Sequence, residues 1–77
     1  MRFGLLYSFI TPADGSVTHR ATFREMDTLL PLAESLGFDA FHTTEHHFQR
    51  NGWAPSPLVV LAHAGGLTRR MRLVTNV

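Results

Sequence analysis

A carboxyl group and two imidazoles stand side by side at Glu45, His46 and His47. Imidazole exchanges a proton near neutral pH, and an adjacent carboxylate can fix its tautomer and orientation. The three residues come directly after residues 38–44, a run that favours β structure and follows a helix-ending Gly37. Because α/β folds place their chemistry where parallel strands end, the triplet predicts a site for proton transfer.

The same segment has a second interpretation, as a zinc site. Residues 42–46 match H-x-x-E-H, a pattern in which both histidines bind zinc from one face of a helix. The segment is rich in β-forming residues, and Glu45 is the last acidic residue of the sequence, so the third ligand is absent. We therefore expect no metal, unless further sequence supplies that ligand.

Five elements are needed to position these residues. Apolar periodicity predicts strands over 3–9, 38–44 and 71–77, and helices over about 19–36 and 57–67. The order is β-α-β-α-β, and each crossover contains a helix, so the strands should be parallel with right-handed connections. The loops after the three strands then converge at one end of the sheet, beyond the carboxyl ends of the strands.

Local signals set the predicted helix ends. Thr22 begins a capping-box pattern, and Thr18 is an alternative N-cap for the first helix. Pro31 predicts a kink in that helix, or its division into two pieces. Ser56 and Pro57 are typical of the start of the second helix, which is apolar almost all round and should be buried on more than one side.

Aromatic residues lie at or near the end of the sheet where the active site is predicted. Tyr7, Phe9 and Trp53 could line a pocket for substrate, although aromatic residues at loop entries are as often part of the local core.

Composition excludes several classes of protein. The hydrophobic fraction of 44% indicates a globular protein, and 77 residues allow at most one small domain. The net charge of +1, without aromatic residues among the clustered arginines, argues against nucleic-acid binding. No apolar run approaches the length of a membrane span, and there is no cysteine or signal-peptide core, so we expect a cytoplasmic protein away from membranes.

Several segments together carry a resemblance to a known family. Residues 1–6, 36–39, 45–48, 56–62 and 72–75 resemble, in order and with natural spacing, the N-terminal strands and second helix of the bacterial luciferase-like flavin monooxygenases. The resemblance covers all 77 residues. It implies an α/β fold in which residues 1–77 are an N-terminal fragment of a single (β/α)8 TIM-barrel domain, with its first three strands and two helices.

The resemblance also implies an activity. Members use reduced FMN and O2 to oxidise a small organic substrate, and a flavin reductase supplies the reduced flavin. This activity is expected of the intact barrel, and residues 1–77 alone should be inactive. By similarity His46 is the catalytic base, with Glu45 and His47 shaping or orienting the site, while Thr75, Asn76 and Val77 contact the flavin. The phosphate-binding residues of the family lie on later strands. His42 stands where the family often has a bulky apolar or aromatic residue, and we expect a hydrogen-bonded ring there.

Two alternatives stay open. One is an oxidoreductase on the same scaffold that transfers a hydride with the deazaflavin coenzyme F420 and uses no oxygen. The other is a fragment without catalytic function that assembles with itself or with the rest of a split barrel. Because a sheet of three parallel strands has two open edges, we expect a homo-oligomer.

Overall fold

Five short elements alternate along the chain. The structure is a computed structural model and describes residues 1–48 and 54–77. Its elements are β1 (Gly4–Tyr7), α1 (His19–Ser35), β2 (Ala40–Thr43), α2 (Pro57–Leu67) and β3 (Arg72–Thr75). The predicted β-α-β-α-β order is confirmed, but each strand has only four residues. The first strand ends early because Phe9 adopts a left-handed backbone conformation, with φ of 58°.

The three strands form one parallel sheet in the order β1-β2-β3. Both pairings are parallel, as the crossover helices predicted. Phe41, at the centre of β2, is fully buried in a core that also contains Leu30 of α1 and Val60 of α2. Both helices therefore cover the face of the sheet that carries Phe41, and alternation along the strands assigns Leu6, His42 and Val74 to the other face.

Helix α1 contacts the sheet through an apolar stripe. Met26, Leu30 and Ala33 are buried at helical spacing, as predicted. Leu36 follows at the same helical spacing, but it is 69% exposed because the helix ends there and Leu36 is its C-cap. Pro31 lies within a single helical segment, so the predicted division into two pieces is wrong.

The start of α1 corrects the capping-box prediction. The Thr18 side chain accepts a hydrogen bond from the Ala21 N–H at 3.1 Å, so the alternative N-cap is confirmed. Thr22 lies one turn inside the helix, where it is buried and donates its hydroxyl to the His19 carbonyl at 2.7 Å. The capping-box pattern was misleading because the helix begins before it.

The end of α1 matches the sequence signal at Gly37. The Phe38 N–H donates to the Ala33 carbonyl and the Gly37 N–H to the Glu34 carbonyl, at 3.0 and 3.1 Å. Together with φ of 98° at Gly37, these bonds form a Schellman motif. Glycine adopts this left-handed conformation without a steric penalty, so it ends the helix and turns the chain into β2.

The Glu34 side chain connects the end of α1 to the turn before β3. Its Oε2 accepts the backbone N–H groups of Arg70 and Met71 at 2.7 and 2.8 Å, and Arg69 donates to both oxygens at 3.1 Å. These bonds, that from Arg70 foremost, hold the pKa of the Glu34 carboxyl below its usual value. The contact spans 36 residues of sequence and fixes where β3 enters the sheet.

Helix α2 begins and ends as predicted, with Pro57 as its first residue. The Ser56 carbonyl accepts the Val60 N–H at 3.3 Å, whereas its side chain makes no capping bond. Among the described elements, β2, β3 and α1 pack against the helix. The expected burial does not extend to Leu58 and Val59, which are 73% and 63% exposed. Neither described helix combines the length and apolar character needed to cross a bilayer.

Candidate functional site

The ends of the strands bring two predicted site segments together. Tyr7, Thr43 and Thr75 are neighbours in register on the last row of the sheet. One residue further, the Asn76 N–H donates to the Thr43 carbonyl at 2.7 Å, so the pairing of β2 and β3 continues beyond the strands. The three residues predicted to contact a cofactor, Thr75, Asn76 and Val77, are exposed beside the segment that leads to Glu45.

Within the acidic and imidazole triplet, the carboxylate pairs with the second histidine. Glu45 Oε2 lies 2.8 Å from His47 Nε2, and both side chains are partly exposed. The backbone N–H of His46 donates to the Ala54 carbonyl at 3.0 Å, which ties this loop to the start of α2, and the residue is half-buried. The three residues lie where the sequence placed them; their catalytic roles stay predictions.

The zinc interpretation of residues 42–46 does not match the fold. His42 is in strand β2, and residues 44–47 have no helical structure, so the two histidines do not share a helical face. Across residues 1–48 and 54–77, no three potential ligands are grouped closely enough to hold a metal ion.

Two of the predicted pocket aromatics pack on the helix-covered side of the sheet. The Tyr7 hydroxyl donates to Glu25 Oε1 at 2.5 Å. Burial, and then the hydrogen bond and negative charge of Glu25, raise the pKa of Tyr7 to about 12. The buried Phe9 ring packs 4.7 Å from the Tyr7 ring and 5.1 Å from the Phe23 ring, between centroids. Trp53, the third aromatic, lies outside the described residues.

Two concave surfaces border the end of the sheet at which the strands finish. An apolar cavity of about 160 Å³ lies between the loop after β1 and helices α1 and α2, and it is lined by residues that include Phe9, Phe23 and Val60. A more open groove of about 380 Å³ runs between Glu45 and the first turn of α2, which contributes Leu58 and Val59. Phe9 therefore borders a small cavity, whereas Glu45 faces a groove.

The face of the sheet opposite the helices carries the features that the sequence reasoning missed. Leu6 is 54% exposed there, and its register neighbours His42 and Val74 are half-buried. A Cβ atom on Gly4 would lie 3.2 Å from both Cδ2 and Nε2 of the His42 ring, so this ring packs closely against the β1 backbone. The signal was a glycine inside a strand, which often marks such a close approach.

Two polar side chains near this face have no hydrogen-bond partner among the described residues. The His42 ring was expected to be hydrogen-bonded, yet within the described part of the chain it makes no hydrogen bond or ion pair. One residue past β2, the Thr44 hydroxyl oxygen is buried and has no hydrogen-bond partner among the described residues. Buried polar groups normally find a partner, so an unpaired one is a candidate contact for a ligand or water.

Comparison with known proteins gives the family. A family model described as "Luciferase-like monooxygenase" matches residues 1–77. The uncharacterized proteins y4vJ and y4wF of Sinorhizobium fredii are 46% and 38% identical over 46 and 60 residues, which are 60% and 78% of this chain. The uncharacterized protein YwcH of Bacillus subtilis is 29% identical over 63 residues, or 82% of the chain.

These matches cover only part of each relative, at 13%, 17% and 19% of the lengths of y4vJ, y4wF and YwcH. The parallel β-α-β-α-β order agrees with the N-terminal part of a luciferase-like TIM barrel. With a family model that spans the whole sequence and a fold that agrees with it, the chain belongs to the luciferase-like monooxygenase family.

Proposed function

We propose that this chain forms the N-terminal part of a flavin-dependent monooxygenase, which uses reduced FMN and O2 to oxidise a small organic substrate. The observation that carries the proposal is that Thr75–Val77 lies beside the end of β2, where the Asn76 N–H bonds the Thr43 carbonyl two residues before Glu45, in a chain of this family. Active sites of TIM-barrel enzymes lie at this end of the strands.

The described residues fit the ring system of a flavin. The exposed Leu6 and half-buried Val74 offer apolar surface for a planar ring, on the face of the sheet that no helix covers. The unpaired, buried Thr44 hydroxyl at the end of β2 offers a polar contact. Apolar walls with a few placed polar groups are typical of cofactor sites.

When bound, reduced flavin supplies the two electrons with which one oxygen atom enters the substrate and the other leaves as water. The chain's own residues bind and orient. In this proposal the His46 imidazole accepts a proton from the substrate side, while Glu45, which borders the groove, holds the Nε2 of His47 and orients that ring. A flavin reductase is the proposed source of reduced FMN. We also propose that copies of the chain associate through the open edges of the sheet.

The test combines cofactor binding with isotope labelling. The chain is titrated with FMN and separately with F420, with quenching of flavin fluorescence as the signal. An intact barrel that contains residues 1–77 is then supplied with reduced FMN, labelled dioxygen and a panel of small organic compounds, and products are analysed by mass spectrometry. We expect FMN binding and one labelled oxygen atom in a product. His46→Ala should lower product formation by about 100-fold while leaving FMN affinity within a factor of about two.

A matched control is His19→Ala, which removes an exposed imidazole at the start of α1, and it should leave both measurements unchanged. Binding of F420 without incorporation of labelled oxygen would replace the proposal with the hydride-transferring alternative. Absence of binding for either cofactor would leave a fragment without catalytic function.

A further inference from the structure

A single polar ring interrupts the apolar row on the open face of the sheet. Leu6, His42 and Val74 are neighbours in register on three adjacent strands. Adjacent strands lie about 4.8 Å apart, so the row is about 10 Å wide and comparable to three fused six-membered rings. The row therefore offers an apolar, polar and apolar surface of the width of a tricyclic ligand.

The position of the His42 ring depends on Gly4. Any side chain at Gly4 would place its Cβ 3.2 Å from both Cδ2 and Nε2 of the ring, which is closer than about nine in ten real Cβ contacts, so the ring would have to shift. The absence of a side chain on β1 thus lets the imidazole lie low over the neighbouring strand. A glycine that makes room for a histidine points to a defined place for that ring, not to a freely moving surface side chain.

The ring also differs from two other histidines in its partners. His47 is bound by Glu45 at 2.8 Å and His63 by Asp27 at 2.9 Å. In the described part of the chain, His42 has neither a carboxylate nor any other hydrogen-bond partner, although it is half-buried. An imidazole always carries at least one donor and, when neutral, also an acceptor, so its hydrogen-bonding capacity is available to a ligand.

We propose that His42 is a specificity-determining contact on this face, which hydrogen-bonds a polar atom at the edge of a planar heteroaromatic ring that stands edge-on over the row, with its ends against Leu6 and Val74. The inference rests on the proposed function and takes the flavin ring as that ligand. His42 thereby selects a ring with hydrogen-bonding atoms over a purely apolar one of the same size. Leu6 and Val74 provide apolar contact that does not distinguish between the two rings.

The test uses lumiflavin, the flavin ring without its phosphate-bearing chain, because the resemblance places phosphate contacts on later strands. Binding is measured by fluorescence quenching for the native chain and for His42→Phe, which keeps an aromatic ring but removes both nitrogens. We expect affinity to fall by about 3- to 10-fold, the worth of one hydrogen bond. Gly4→Ala should weaken binding similarly, because it displaces the ring and leaves the imidazole intact.

Two further variants separate hydrogen bonding from packing. His42→Gln retains a donor and an acceptor, so it should bind within about 2-fold of the native chain. His19→Phe makes the same chemical change as His42→Phe at an exposed position on α1, and it should bind like the native chain. NMR of the His42 ring and of the Leu6 and Val74 methyl groups follows the contact directly, and all three sets of signals should shift on binding.

The outcomes separate this inference from the proposed function. If lumiflavin binds and shifts the Leu6 and Val74 signals, while His42→Phe binds as tightly as the native chain, the role of His42 is refuted and flavin binding stands. If lumiflavin binds neither the native chain nor any variant and no signal moves, both the inference and the flavin proposal are overturned.

Discussion

The same substitution on the two faces of the sheet should have very different costs. Leu30→Ala removes a fully buried side chain from the core between α1 and β2, and Leu6→Ala removes one that is 54% exposed on the open face. The chemical change is identical, so the comparison isolates the effect of burial. Leu30→Ala should destabilise the chain strongly, and Leu6→Ala only slightly.

The magnitudes follow from burial. Truncating a fully buried leucine costs about 2–5 kcal/mol, because the lost transfer energy is joined by the cost of a cavity. About half of the Leu6 side chain is already in water, so its truncation should cost about 1 kcal/mol. A domain of 77 residues has a total stability of about 4–12 kcal/mol, so Leu30→Ala threatens the fold itself.

Urea unfolding followed by circular dichroism measures both free energies of unfolding, at several protein concentrations. Equal losses for the two variants would refute the reasoning, because Leu6 would then be as buried in solution as Leu30. In that case we expect a second copy to cover the open face, and the urea midpoint of the unsubstituted chain should rise with protein concentration. A loss below about 1 kcal/mol for Leu30→Ala would instead show that α1 does not pack on the sheet.

Three further results are expected. Because hydrogen bonds from the turn before β3 lower the pKa of Glu34, the stability they provide is present above its usual value of 4.5 and is lost as pH falls through the lowered pKa. Urea midpoints measured from neutral pH to below 4.5 should therefore fall less for Glu34→Gln than for the native chain, and equal slopes would contradict the contact. Tyr7 is the one tyrosine, so ultraviolet absorbance reports its ionisation alone; its pKa of about 12 should drop in Glu25→Gln yet stay above 10, because burial is the larger cause. This raised pKa contributes stability that is complete below pH 10 and is lost as pH rises towards 12. Thr18→Ala should cost about 1 kcal/mol in thermal or urea unfolding because it removes the N-cap of α1, whereas Thr28→Ala, an exposed mid-helix change, should cost nothing.

Local signals predicted those parts of the fold that local chemistry decides. Gly37 ends α1 because glycine can adopt a left-handed backbone conformation, and Pro57 begins α2 because its ring restricts the backbone to a helical φ. Neither effect needs a partner elsewhere in the chain. The choice between Thr18 and Thr22 as N-cap could not be made locally. Both residues have a suitable hydroxyl, and packing of the helix stripe on the sheet selected the earlier start.

The candidate site was predicted only in outline. Glu45, His46 and His47 were expected at a strand end and lie there, but only the fold pairs the carboxylate with His47. Nothing local indicated that the Tyr7 hydroxyl would bind Glu25, 18 residues away. Such partners depend on how a helix is set against the sheet, which short sequence patterns do not encode.

The sequence by itself determined the family, the order of the elements and the end of the sheet at which the chemistry-bearing residues collect, because periodicity and turn residues act over a few positions. Only the tertiary structure decided which face of the sheet is covered and which carboxylate meets which partner. Glu34 reaches the turn at Arg70, and Gly4 makes room for His42, through contacts between residues far apart in the chain. Those contacts form when apolar surfaces such as that of Phe41 are buried, because this burial fixes how the helices lie against the sheet.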